Sequence, residues 1–83
     1  MRVQVLFFGM LKDVVGRASE VLELHEPATV ADVLQHYGQR IPELQKLFGS
    51  VALSVNQHYA GPGTTLGPND EVALLPPVSG GMR

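Results

Sequence analysis

The sequence predicts an α+β domain: a mixed sheet of about five strands, one long helix packed across one face, and a short connecting helix. Three observations predict it. Segments near both ends of the chain alternate apolar and polar residues with a period of two. A central segment carries helical i, i+3, i+4, i+7 spacing, and no internal repeat or long linker divides the pieces. With 83 residues, 45% of them apolar, the chain holds one core, and a two-layer arrangement uses every element.

Arg2 to Phe8 is rich in β-branched and aromatic residues and stops at Gly9, which reads as a first strand. Val3, Val5 and Phe7 give it one apolar face. The other face runs Arg2, Gln4, Leu6, Phe8 and turns from polar to apolar along its length. Met10 to Val15 has apolar residues at the spacing of one or two helical turns, with Gly16 placed to end it. Ala18 to Leu24 is a second strand with Leu22 and Leu24 inward, broken by Glu26-Pro27-Ala28. Thr29 then caps the long helix, Asp32 complements its first free N–H groups, and Val30, Val33, Leu34 and Tyr37 share one side. Gly38 is its stop signal.

A shorter helix is predicted from Pro42 to Phe48, followed by Gly49. Val51 to Val55 alternates as a third strand, and Asn56-Gln57 turns it into a brief strand from His58 to Ala60. Gly61-Pro62-Gly63-Thr64-Thr65 is glycine-rich but lacks the Lys-Ser/Thr ending of a phosphate-binding loop, so it reads as a turn. Gly67-Pro68-Asn69-Asp70 turns the chain into a last strand, Glu71 to Leu75, and Pro76-Pro77 ends it because proline cannot donate to a ladder. The division is a domain over residues 1–75 and a flexible tail over 76–83.

Composition excludes several functions. Six basic and eight acidic residues are spread without a run of like charge, so nucleic acid and anionic membrane are poor partners. Without cysteine there is no disulfide framework, no thiolate metal site and no Cys nucleophile. His25, His36 and His58 have no metal-ligand spacing, so no metal is expected. Ser50, Ser54 and Ser79 lack nucleophile-elbow surroundings. Neither a secretory signal nor an apolar run of membrane-spanning length is present, and a cytoplasmic protein is the default.

Chemistry concentrates in the tail, Pro76-Pro77-Val78-Ser79-Gly80-Gly81-Met82-Arg83. A diproline projects it, and at about 3.3 Å per extended residue Gly81 reaches roughly 20 Å beyond Leu75, far enough to enter another protein's pocket. Backbone without Cβ threads a narrow channel and lets an enzyme approach the carbonyl. The bland reading is a frayed end whose glycines carry nothing. A second feature is apolar: Phe8 and Leu75 end the first and last strands on the faces opposite their inward sets. If those strands are neighbours, the two residues form an exposed patch at the root of the tail, joined by Tyr59; otherwise a helix covers that face.

Val5-Leu6-Phe7-Phe8, Val55-Asn56-Gln57 and the run from Asp70 to Gly81 together resemble the small, sulfur-carrying subunits of molybdopterin synthase. The resemblance implies a ubiquitin-like β-grasp fold. It also implies that the terminal glycine is adenylated by an E1-like activating enzyme, which consumes ATP, and is then thiocarboxylated from a persulfide donor. The loaded tail would enter the large synthase subunit and give sulfur to cyclic pyranopterin monophosphate. By position Gly81 bears the sulfur, Gly80, Ser79 and Val78 occupy the tail channel, and Phe8, Tyr59 and Leu75 meet the large subunit or the activating enzyme. The chain would not be an enzyme alone and would hold no permanent cofactor. Family members ordinarily end at the second glycine, whereas Met82-Arg83 follows here, so the chemistry requires their removal. Two alternatives stay open: a similar carrier or modifier serving tRNA thiolation, thiamin or cysteine synthesis or lysine attachment, and a plain ubiquitin-like interaction module.

Overall fold

Alternation in Arg2–Phe7 (β1) buries Val3, Val5 and Phe7 at 2% exposure or less, and everything else is laid against this strand. The computed structural model describes residues 1–76. After β1 come Met10–Val15 (α1), Ser19–Glu23 (β2), Ala28–Thr29 (β3), Val30–Arg40 (α2), Pro42–Gln45 (α3), Ala52–Val55 (β4), His58–Ala60 (β5), Thr65–Leu66 (β6) and Glu71–Leu75 (β7). Five strands form one mixed sheet in the order β2-β1-β7-β4-β5, with β1 and β7 parallel and the other neighbours antiparallel. The last strand therefore lies at the centre, and Val72, Ala73 and Leu74 are buried. This is the expected β-grasp arrangement.

The helices supply Leu11, Val30, Val33, Tyr37 and Leu44 to one core with the inward residues of β1, β2, β4 and β7. At its centre the Phe7 and Tyr37 rings meet edge to face, centroids 5.0 Å apart. Tyr37 is fully buried, and its hydroxyl donates to Glu20 Oε1 at 2.7 Å. Arg40 and Arg17 donate to the same carboxylate at 3.4 and 3.2 Å.

The structure extends the sequence reading in three places. Gly38 does not stop α2, which continues to Arg40. A Cβ on Gly38 would lie 3.2 Å from the Phe48 ring, so this glycine serves a close approach between segments. The short helix ends at Gln45, and Leu47 and Phe48 follow in i to i−3 turns at the edge of the core. The glycine-rich loop is more than a turn: Pro62 and Thr64 carbonyls accept the Ala31 and Val30 N–H groups at 2.8 and 3.0 Å, satisfying donors at the start of α2. Asp32 completes that helix start by accepting the Thr29 N–H at 2.8 Å. The pairing of β3 with β6, Ala28 opposite Leu66, holds the same loop against the helix entrance.

Asn56 and Gln57 both have positive φ, 52° and 71°, the signature of a type I′ hairpin turn. Asn56 suits this region and its side chain is also used: Nδ2 donates to Asp70 at 2.9 Å and Oδ1 accepts the Glu71 N–H at 3.0 Å. Gln57 has no side-chain compensation among these bonds. Gln57→Gly is expected to raise unfolding free energy by about 0.5–1 kcal/mol in urea titration, because the native φ no longer strains a Cβ.

Candidate functional site

The site is built where β1, β7 and β4 end together. Pairing of Phe7 with Leu74 brings Phe8 beside Leu75, and the Phe8 N–H still donates to the Leu74 carbonyl at 3.2 Å. On the other side Leu75 pairs with Ala52. One residue pair further from the strand ends, Leu6, Ala73, Ser54 and Tyr59 form a continuous cross-strand row. All of these side chains point away from the core, because their neighbours Phe7, Leu74, Leu53 and Val55 point into it.

Phe8 is 43% exposed and Tyr59 87%. Phe8 follows the end of β1 and Tyr59 lies on β5, three strand spacings or about 14 Å away across the sheet. Between them the floor is low, since Ala73 and Ser54 are small and buried and Ala52 and Leu75 are half-buried. Two aromatic walls across a floor of small residues make a shallow apolar trough that can receive a protruding side chain. Phe8, Leu75 and Tyr59 thus share one face, with Phe8 and Leu75 adjacent and Tyr59 across the floor. The sequence reading missed Ala52, Ser54 and Ala73, whose only signal was alternation with inward residues.

Polarity along this face is graded. At the end remote from Leu75, Gln4 pairs with Glu71 and Val21, and Arg2 holds Glu23 at 2.7 Å in an exposed ion pair. Asp70 closes that end, where the Gly67 N–H and then Asn56 Nδ2 hold its carboxyl below the usual carboxylate range. Hollows on this end are lined by Arg2, Gln4, Asn69 and Glu71. The apolar end is the one from which the chain leaves at Pro76. Val78, Ser79, Gly80 and Gly81 lie outside the described residues.

Among the described residues no group of three or more His, Asp or Glu side chains is placed to hold a metal ion. His36 packs edge-on against Tyr37 and its Nε2 lies 3.3 Å from Arg40 Nη1. No helix among the described residues is long and apolar enough to cross a membrane.

Comparison with known proteins places this geometry in a family. Residues 5–81 match the model of the ThiS family. The chain is 35% identical over 81 residues to the molybdopterin synthase sulfur carrier subunit of Caenorhabditis elegans, covering 95% of this chain and 96% of that one. Among solved structures it superposes on SAMP1 from Haloferax volcanii with a TM-score of 0.84 at 29% identity, covering 98% and 100% of the two chains. It also superposes on a chain of the complex of subunits 1 and 2 of molybdopterin-converting factor from Helicobacter pylori, with a TM-score of 0.70, 28% identity, and 98% and 100% coverage. The chain therefore belongs to the ThiS family and, within it, to the molybdopterin synthase sulfur carrier subunits.

Proposed function

We propose that this chain works in the cytoplasm as the sulfur-donating subunit of molybdopterin synthase, with catalysis residing in a large partner subunit. The observation that carries the reading is the coincidence of the apolar trough with the exit of the chain at Pro76, in a sequence whose family match runs through Gly81. A partner that covers Phe8, Leu75 and Tyr59 receives whatever leaves the sheet beside them.

Gly81 carries the chemistry once Met82-Arg83 is removed. Its carboxylate attacks the α-phosphorus of ATP on an E1-like activating enzyme, and pyrophosphate leaves. The outer sulfur of a persulfide then attacks the acyl carbon and expels AMP, and a second thiol cleaves the S–S bond to leave the thiocarboxylate and a disulfide. Gly80, Ser79 and Val78 occupy the partner's channel while sulfur passes to cyclic pyranopterin monophosphate. The absence of Cys leaves no thiol in the chain to attack its own activated end.

Intact-mass analysis of the protein from its native host, with and without the activating enzyme, tests this. The expected result is loss of Met82-Arg83 followed by replacement of one oxygen mass by one sulfur mass. A full-length, unmodified chain that still supports synthase activity would overturn it. The likeness to SAMP1, a small archaeal modifier protein by its description, favours one second reading, attachment to lysines. Isopeptide-linked adducts in the same spectra, in place of the sulfur mass, would select it.

A further inference from the structure

The floor of the trough carries one hydroxyl. Ser54 is 8% exposed, so more than nine-tenths of it is buried, and its side chain faces the trough because Leu53 and Val55 on either side face the core. Among the described residues that hydroxyl has no hydrogen-bond partner. No side-chain oxygen or nitrogen sealed from solvent is left unpaired among them, so Ser54 Oγ goes unpaired because it still opens on to the trough.

None of its neighbours takes it up. The Asn56 N–H donates to the Glu71 carbonyl at 2.8 Å, and ladder bonds recur at every second residue, so Ser54 and Ala73 spend their backbone groups on each other. The Asn56 amide is committed at both ends, Nδ2 to Asp70 and Oδ1 to the Glu71 N–H. Tyr59 stands opposite Ser54, but it is 87% exposed and carries its hydroxyl at the far end of a ring that stands in solvent. Leu6, Phe8, Ala52, Ala73 and Leu75 offer no polar side-chain atom. In the free chain water satisfies Oγ. A partner that covers the trough removes that water, and a hydroxyl buried without a hydrogen bond is costly, so the partner has to replace it.

The surroundings define the replacement. Two aromatic walls over a floor of small residues admit a large apolar body, and Oγ calls for a polar atom at its tip. The tip is neutral, because no charge lies on the floor and the carboxyls of Asp70 and Glu71 belong to the opposite end of the face. We infer that Ser54 is a specificity-determining residue of the docking face: the large partner subunit fills the trough with a Tyr or Trp side chain whose O–H or N–H donates to Ser54 Oγ. The inference rests on the carrier reading, which supplies that partner. Shape alone accepts Phe as readily as Tyr; the hydroxyl rejects it, since a covering Phe leaves Oγ unpaired.

Titration calorimetry of the full chain and of Ser54→Ala against the large subunit tests this, repeated with large-subunit variants in which each Tyr and Trp is changed in turn to Phe. Ser54→Ala is expected to weaken binding about tenfold, with the melting temperature of the free chain within about two degrees of native, because the hydroxyl bonds only in the complex. One partner variant is expected to weaken the native chain by a similar factor and the Ser54→Ala chain by less than about twofold, since neither then leaves a group unpaired. Binding of Ser54→Ala within about twofold of native, a clear fall in its melting temperature, or losses that multiply in every pair of variants would overturn the inference. A native chain that does not bind the large subunit overturns the carrier reading and the inference with it; a native chain that binds while Ser54→Ala binds equally well overturns the inference alone.

Discussion

Phe8→Asp is expected to weaken binding to the large partner subunit by about a hundredfold or more while leaving the melting temperature of the free chain within a few degrees. Phe8 is the aromatic wall nearest the tail and is 43% exposed, so the free fold loses little packing when it is replaced. In a complex that covers the trough, the same position is desolvated. Truncating an aromatic anchor costs about 2 kcal/mol or more, and a carboxylate left unpaired in its place adds to that. Tyr59→Ala is expected to cost less, about tenfold, because an 87% exposed side chain must first give up its rotamer freedom to make contact. Val21→Asp is the control. Val21 is 61% exposed and shares the face, but it pairs with Gln4 at the polar end. Titration calorimetry against the large subunit would show no loss for Val21→Asp; a loss equal to that of Phe8→Asp would move the docking site away from the tail root.

What the sequence made legible follows from the range of each signal. Alternation in residues 2–8 and 71–75 and the 3.6-residue stripe on α2 are local, so the elements, their inward faces and the α+β class were readable. Strand order is not local. That Phe8 and Leu75 are neighbours depends on β7 entering between β1 and β4, and nothing in either strand's own residues encodes that parallel pairing. The trough floor was illegible for another reason: Ala52, Ser54 and Ala73 are too small to read as either core or interface, and matter only because Phe8 and Tyr59 rise on either side. Two-residue pairings such as β3 with β6 are too short for any period. Gly38 and Gly61-Pro62-Gly63 misled in opposite senses, one read as a stop where it allows close packing, the other read as a bare turn where the carbonyls of Pro62 and Thr64 satisfy a helix. The chemistry of Gly81 was legible through the resemblance of the whole closing run, since a glycine pair alone specifies nothing.

Tyr37→Ala is expected to lower unfolding free energy by about 3–5 kcal/mol, against a total of about 4–12 kcal/mol for a domain of this length. Tyr37 is fully buried, packs edge-on against Phe7, and is among the largest side chains in the core, so its removal leaves a cavity beside the Phe7 ring. Tyr37→Phe keeps the ring and isolates the hydroxyl, which donates to the Glu20 carboxylate at 2.7 Å; its expected cost at neutral pH is about 1–3 kcal/mol. Burial first, and then that carboxylate, push the phenol above its ordinary range. The Tyr37 bond in turn holds Glu20 below its ordinary value of 4.5, helped by Arg40 and Arg17 and opposed by partial burial. A carboxyl depressed in the folded state contributes stability that is complete above its unfolded value and is lost as pH falls through its folded value. The gap between wild type and Tyr37→Phe should therefore narrow as pH falls below 4.5. Urea unfolding from neutral pH to about pH 3 measures it, with Asp70 and Glu23 titrating alike in both chains and cancelling in the difference. A gap that stays constant across that range would show that Arg17 and Arg40, rather than the buried hydroxyl, hold the Glu20 charge.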